Sequence, residues 1–238
     1  MNENLPAGTL AVVHPQTGEP LWLLPEGGLF DPASNSLFVA DVHLGKAESF
    51  RRLGVPVPIA ASSHGMVRLS ALLARYRPAR LVFLGDLIHD RMDAEHPMLA
   101  QLAQWRQEHA DVSMLLVPGN HDRKGGALAR DCGIDILPVG STLGALQLLH
   151  EPDEILPAQA SAPALALAGH LHPVIRLHGR GDTLRLRCFW WQPEVIVLPA
   201  FGEFTGGHAV RPAPNERIFL LADGAVREMP VRPRADIP

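Results

Sequence analysis

Eight side chains able to bind protons or metals stand at the ends of apolar runs in this chain. Asp41 and His43 follow the run Ser36 to Ala40, Asp86 follows Arg80 to Leu84, and Asn120 and His121 follow Ser113 to Pro118. His150 follows Leu146 to Leu149, and His170 and His172 follow Ala164 to Ala168. Each run has the length and composition of a buried strand, so each polar residue sits where a strand gives way to a loop, the usual place for chemistry in α/β folds. A lone histidine is ordinarily a satisfied core or surface residue. Five strand exits that each carry a carboxylate, an imidazole or an amide form a set, and metal ions are the partners that suit such a set. Mixed carboxylate and imidazole donors match Mn²⁺, Fe or Zn²⁺, whereas a site lined wholly by oxygen would match Mg²⁺ or Ca²⁺.

The elements that must position these residues follow from periodicity. Leu10 to Val13, Leu21 to Leu24 and Ser36 to Ala40 are short strands separated by turn-rich segments such as Pro15-Gln16-Thr17-Gly18 and Asp31 to Asn35, which gives an antiparallel opening. Helices are expected over Ala60 to Tyr76, with Met66, Leu69, Leu72 and Leu73 on one face, and over about Ala94 to His109, with Leu99, Leu102 and Trp105 on one face. Pro78 ends the first of them. Alternating with the strands at Arg80 to Leu84 and Met114 to Val117, they predict a parallel sheet with right-handed crossovers, an α/β fold. A short helix from Gly125 to Cys132 leads into a strand-rich second half: Leu146 to Leu149, Ala164 to Ala168, Val174 to Leu177, Leu184 to Phe189, Val195 to Pro199, Arg217 to Ala222 and Val226 to Met229. Asp41 and His43 have the same parity, so both face one side if the strand runs on to His43; His170 and His172 likewise share a face, and a modest bend could send them to different ions.

The 238 residues suffice for one large core, and no repeat or long linker divides them, so one domain is expected over 1–229 with a Pro- and Arg-rich tail at 230–238. Hydrophobic residues at 47% and charged residues at 19% fit a soluble globular chain and exclude a disordered or coiled-coil one. No leader-like segment opens the sequence and no run approaches a membrane span, so a cytoplasmic protein without a membrane partner is expected. The two cysteines, Cys132 and Cys188, lack paired ligand spacing and are expected to be buried small apolar residues. A net charge of −4 argues against a broad nucleic-acid surface, although two bound divalent cations would cancel it. Of 21 basic residues only Lys46 and Lys124 are lysines, and both lie beside a candidate metal motif.

Asp41-Val42-His43, Gly85-Asp86, Gly119-Asn120-His121-Asp122, His150 and Gly169-His170-Leu171-His172 resemble, in order, the five sequence blocks of the calcineurin-like metallophosphoesterases. The resemblance spans Ser36 to Pro199. It implies a four-layer α/β/β/α sandwich and a centre of two divalent ions bridged by Asp86. Asp41, His43 and His172 would complete one ion, and Asn120, His150 and His170 the other, with His121 a catalytic acid rather than a ligand. Asp41 to Pro58, Gly85 to His89, His150-Glu151-Pro152, Gly169 to Pro173 and Pro199 to Gly207 further resemble the bacterial ligase-associated DNA damage response endonucleases. That subfamily implies Mn²⁺, a DNA substrate and a functional association with a DNA ligase and a helicase. Glu26-Gly27-Gly28 departs from it, because an arginine-containing stretch is expected there.

A water shared by two cations ionises near neutral pH and could attack a bound phosphorus, while His121 protonates the leaving oxygen. Lys46, Arg51, Arg52, Arg123 and Lys124 flank the motifs and are candidates for phosphate contacts on a single strand; His89 is a further candidate in the loop after Asp86. His14, His64, His96, His109 and His178 are assigned ordinary structural roles, and Phe201 to Gly207 is a candidate substrate-facing loop. The function expected is that of a Mn²⁺-dependent phosphodiesterase acting as a DNA endonuclease on single strands in DNA repair. A small-molecule phosphoesterase acting on cyclic nucleotides, nucleotide diphosphates or phosphomonoesters is the alternative. A catalytically inert scaffold on the same fold would have lost ligands, and none is missing.

Overall fold

The computed structural model describes residues 5–58, 61–89, 96–122, 126–155, 165–179 and 181–231. Two β-sheets stack face to face. The first runs in the order of the sequence: β1 (Leu10–Val13), β2 (Pro20–Leu23), β3 (Leu29–Asp31), β4 (Ser36–Val39), β5 (Arg80–Leu84), β6 (Ser113–Val117) and β7 (Asp135–Ile136). Its β1 to β4 pairings are antiparallel and its β4 to β7 pairings parallel. The switch follows from connection length, because parallel neighbours need a crossover and the helices provide it. After α1 (Lys46–Arg52) come α2 (Ala61–Tyr76) between β4 and β5, α3 (Pro97–Glu108) between β5 and β6, and α4 (Gly126–Asp131) before β7.

The second sheet has β8 (Thr142–Leu143), β9 (Leu146–Leu148) and β10 (Leu165–Ala168) on one side of β13 (Val195–Val197). On its other side lie β12 (Thr183–Trp191), β11 (Pro173–His178) and β14 (His208–Ala209). β15 (Arg217–Ala222) also pairs with β12, and β16 (Ala225–Met229) with β15. At its centre β10 runs parallel to both β9 and β13.

Strand alternation divides the core. Leu81 and Phe83 of β5 pack with Leu37, Val39, Met114 and Leu116 against the apolar faces of α2 (Met66, Leu69, Leu72, Leu73) and α3 (Met98, Leu99, Leu102, Trp105). Their neighbours Val82 and Leu84 point the other way, joining Phe38 and Val117 against Leu148, Leu167, Phe189, Ile196 and Phe219 of the second sheet. Full burial of each such side chain is worth about 1.5–3 kcal/mol. Of the four-layer α/β/β/α sandwich that the resemblance implies, the two stacked sheets and the helical layer over the first are present. Against the outer face of the second lies a 3₁₀ turn, Pro152–Glu154, beside β10. Both cysteines are buried and free.

Among the described residues six elements are additional to those expected: β3, α1, β7, β8, β14 and the 3₁₀ turn at Pro152–Glu154. Four are strands of two or three residues, too short for a periodicity to show. α1 is seven residues long and starts after Gly45, which sits at φ 85 with no side-chain cap, so the usual start signal is absent. Arg123 and Lys124 lie outside the described residues, as does nearly all of the 230–238 tail. Among the described residues no helix is long and apolar enough to cross a membrane.

Candidate metal centre

All eight strand-exit residues gather where the carboxyl ends of the two sheets meet. β4 ends at Val39, and beyond it Ala40 bridges Ala200 of the second sheet. The Phe201 N–H donates to the Ala40 carbonyl (2.8 Å) and the Gly202 N–H to the Asp41 carbonyl (3.0 Å), so the strand-end loops of both sheets are stitched together. Asp41, His43, Asp86, Asn120 and His121 come from the first sheet, and His150, His170 and His172 from the second.

The local backbone is unusual. Asp41, His43, Asp86, His170 and His172 all adopt positive φ, between 48° and 68°. This left-handed conformation costs a non-glycine residue on the order of 1–3 kcal/mol and concentrates at functional sites, Asp, Asn and His tolerating it best. Strand parity is therefore not what brings Asp41 and His43 together: the strand has ended, and two left-handed residues turn both side chains inward. The same conformation at His170 and His172 sends them apart, one to each of two groups.

In the first group the donor atoms of Asp41, His43 and His172 lie within 4.8 Å of one another. His43 Nε2 faces His172 Nε2 at 3.4 Å, and His172 Nε2 lies 3.4 Å from Asp41 Oδ1. Asp41 Oδ2 accepts the His170 N–H (2.9 Å), while Oδ1 is buried and receives no hydrogen bond from the described residues. Burial, followed by the charge of Lys46, lowers the His43 pKa to about 2, which keeps the imidazole in its neutral, ligating form.

The second group joins Asp86, His150 and His170 within the same 4.8 Å span. The His150 Nδ1–H donates to the Leu84 carbonyl (3.1 Å), which fixes the tautomer and leaves Nε2 facing His170 Nδ1 (3.2 Å) and Asn120 Oδ1 (3.1 Å). Asp86 stands between the groups: Oδ1 is 3.6 Å from His150 Nε2, and Oδ2 is 4.0 Å from His43 Nε2. Glycines make this closeness possible. A Cβ on Gly85 would run into the His150 imidazole, and one on Gly119 into Asp86 Oδ1. An orphaned buried carboxylate oxygen, and imidazole nitrogens aimed at one another instead of at donors, fit two divalent cations.

His121 is outside both groups. Its side chain is 38% exposed, Nε2 lies 4.0 Å from Asp86 Oδ2, and its backbone N–H donates to Asp86 Oδ1 (3.0 Å). His89 stacks on it (centroids 5.2 Å, planes 25° apart) and presents Nδ1 to His43 Nδ1 at 3.3 Å. Lys46, at the start of α1, lies within the field of Asp41 and Asp86; burial lowers its pKa and these carboxylates raise it. Arg51 pairs with Glu48 (3.1 Å) and donates to the Pro58 carbonyl (3.1 Å), and Arg52 donates to Ser49 Oγ (3.0 Å), contacts that brace α1 and the segment after it.

Asp122 has a role that sequence spacing did not assign. Its buried carboxylate accepts the N–H groups of Gly119 (3.0 Å), Ile88 (3.2 Å) and Leu87 (3.3 Å), clamping the loop after β5 to the loop after β6. Burial raises its pKa to about 6, and the three amide bonds work against that rise. Its place in the Gly-Asn-His-Asp run was the available signal. Of the histidines given structural roles, the His14 Nε2–H donates to the Ala145 carbonyl (3.1 Å) and His96 caps α3, but His64 lies on the wall of a cavity with Phe204 and Gly206.

A profile of the calcineurin-like phosphoesterase family matches residues 35–197. No curated protein sequence matches the chain. Among solved structures, Pseudomonas putida nuclease MPE is 36% identical, with a TM-score of 0.76, over 93% of this chain and 100% of that one. Yfce, a phosphoesterase from E. coli, matches over 83% of this chain and 99% of its own at 17% identity and a TM-score of 0.44. The family uses a dimetal centre, for which the two aspartate and histidine groups supply donors of the right kind. The chain belongs to the calcineurin-like phosphoesterase family and is a metal-dependent hydrolase of phosphate esters.

Proposed function

We propose that this chain is a Mn²⁺-dependent phosphodiesterase that cleaves single-stranded DNA as an endonuclease. The observation that carries the reading is the pair of donor groups facing the two oxygens of one carboxylate, Asp86. Its support on the DNA side is the likeness to the Pseudomonas putida nuclease. Asp41, His43 and His172 would hold one ion, and Asn120, His150 and His170 the other, with one oxygen of Asp86 turned toward each. When bound, two divalent cations supply charge neutralisation for the phosphate and a nucleophilic water ionised near neutral pH. Donors of nitrogen and oxygen are compatible with Mn²⁺, Fe and Zn²⁺.

The chain's own residues do the rest. His121 stands on the solvent side of Asp86 and donates a proton to the leaving oxygen. His89 props His43 from behind, keeping its Nε2 turned inward. Lys46 places an ammonium beside the carboxylates, where it meets a non-bridging phosphate oxygen. Arg51, Arg52, Arg123 and Lys124 belong to the same proposal as flanking phosphate contacts. The subfamily resemblance extends it to DNA repair beside a DNA ligase and a helicase.

Incubation of the Mn²⁺-loaded protein with circular single-stranded DNA, beside a panel of nucleotides and phosphomonoesters, tests the reading. Nicking of the circle supports it; turnover confined to the small esters replaces it with a small-molecule phosphoesterase. His121→Ala is expected to slow esters with poor leaving groups far more than activated aryl esters, and equal losses would remove His121 from the acid role.

A further inference from the structure

A cavity of about 590 Å³ opens beside His172, walled in part by the loop that the sequence marks as a candidate to face substrate, and no role above uses its arginines. Its wall holds Arg68 of α2, Arg185 and Arg187 of β12, and the loop from Ala200 to Gly206. Arg185 and Arg187 are two positions apart on one strand, so they leave the same face of it. Backbone carbonyls hold all three guanidinium groups. Arg68 donates to the carbonyls of Phe201 (2.7 Å) and Glu26 (3.1 Å), Arg187 to Ala200 (2.9 Å), and Arg185 to Gly206 (2.6 Å). Arg68 also lies over the Phe201 ring, 4.2 Å from its centroid.

Carbonyls orient a guanidinium without neutralising it. Among the described residues one carboxylate, Glu203, lines the cavity, and its Oε1 is already engaged by His64 Nδ1 at 2.7 Å. Burial, then the charge of Arg187, lowers the Arg68 pKa, and burial lowers that of Arg187; Glu203 works against both shifts and Glu26 against the first, so these two guanidinium groups are partly desolvated and share few carboxylates. Clustered cations held this way favour a site that an anion completes. The planar fork of arginine matches the oxygens of a phosphodiester.

Phe204 forms the rim. It is 46% exposed, its ring centroid lies 6.2 Å from that of Phe50, and its backbone sits at φ 58. An exposed aromatic side chain held in the left-handed region by a loop is a pattern of functional constraint. Its face can stack on an unpaired base, whereas a base inside a duplex has no free face to offer.

We propose that this cleft is the strand-tracking subsite of the enzyme, in which Arg68, Arg185 and Arg187 take the phosphodiester next to the scissile one and Phe204 stacks on the adjoining unpaired base. The inference rests on the phosphodiesterase reading above and deepens it, since it states on which side of the metal centre the strand leaves and why a single strand is preferred. A chain of net charge −4 then binds DNA through a local patch instead of its overall field.

Phe204→Ala and Arg187→Gln test it, the first at an exposed position where folding is not at risk. On a short single-stranded oligonucleotide with Mn²⁺, each raises KM roughly tenfold with a smaller change in kcat, and the loss on DNA exceeds the loss on bis(p-nitrophenyl) phosphate by about the same factor. Fluorescence anisotropy on the metal-free protein shows weaker binding of the same oligonucleotide. For Arg187→Gln the log–log salt slope becomes shallower by about 0.7. Equal losses on the two substrates, or parental affinity and slope in both variants, overturn the subsite while leaving the phosphodiesterase reading intact. A parent chain that hydrolyses neither substrate with Mn²⁺ overturns both.

Discussion

The two donor groups on either side of Asp86 use the same residue types but are held in different ways. Around the second, the framework is complete: His150 is 1% exposed, its Nδ1–H is committed to Leu84, and the Asp86 oxygen beside it accepts the amide of His121. Around the first, Asp41 Oδ1 is left without a donor, His43 leans on another imidazole, and His172 forms part of a cavity wall open to solvent. One half is enclosed and fixed by hydrogen bonds to the backbone. The other has a buried oxygen without a donor and an imidazole on an open cavity wall. The difference teaches that donor sets of like chemistry can be divided by their surroundings into a more enclosed half and a more open one.

The largest test removes what the halves share. Asp86→Ala is expected to lower turnover of bis(p-nitrophenyl) phosphate roughly a thousandfold, the equivalent of about 4 kcal/mol of transition-state stabilisation. It should also reduce metal content at both positions; a variant that keeps a tenth of parental turnover would show that the halves are not joined there.

Comparing His150→Ala with His172→Ala sharpens the asymmetry. The first empties a fully enclosed position and should cost about 3 kcal/mol of stability, the second about 1 kcal/mol or less. Isothermal titration should show that the chain lacking His172 retains one tight equivalent of Mn²⁺, while loss of His150 weakens the tight equivalent itself. Matching melting curves and matching isotherms for the two variants would erase the distinction.

A smaller loss of turnover than that of Asp86→Ala is expected from Asp122→Asn. It keeps the shape of the brace between the two loops but replaces one accepting oxygen with a donor, opposite an amide that already donates. A loss of about 10- to 100-fold in activity is expected, with a drop in melting temperature. Parental activity would mean that the loops after β5 and β6 hold their positions without it.

Much of this was legible because the chemistry sits at strand ends, and strand ends announce themselves where an apolar run stops. Leu10–Val13, Arg80–Leu84 and Arg217–Ala222 have the bounds that periodicity predicts. The reasoning that Asp41 and His43 share a strand face was wrong in its premise, because a positive φ at a polar residue leaves no periodic trace. The arginine cleft was illegible for another reason. Arg68 comes from a helix and Arg187 from a strand far along the sequence, and neither stands in a motif; only the packing of α2 against the loop after β13 brings them together. Arg51, singled out because it flanks the metal motifs in sequence, also donates hydrogen bonds to the chain that follows its own helix, a contact that no motif announces.

The donors are split between the two sheets, three of the imidazoles arriving from β9 and the ends of β10 and β11, and the carboxylates from β4 and β5. Ion occupancy therefore acts as a rivet through the sandwich as well as a reagent: chelation should let its open edge breathe, and thermal resistance should climb with the logarithm of free metal concentration.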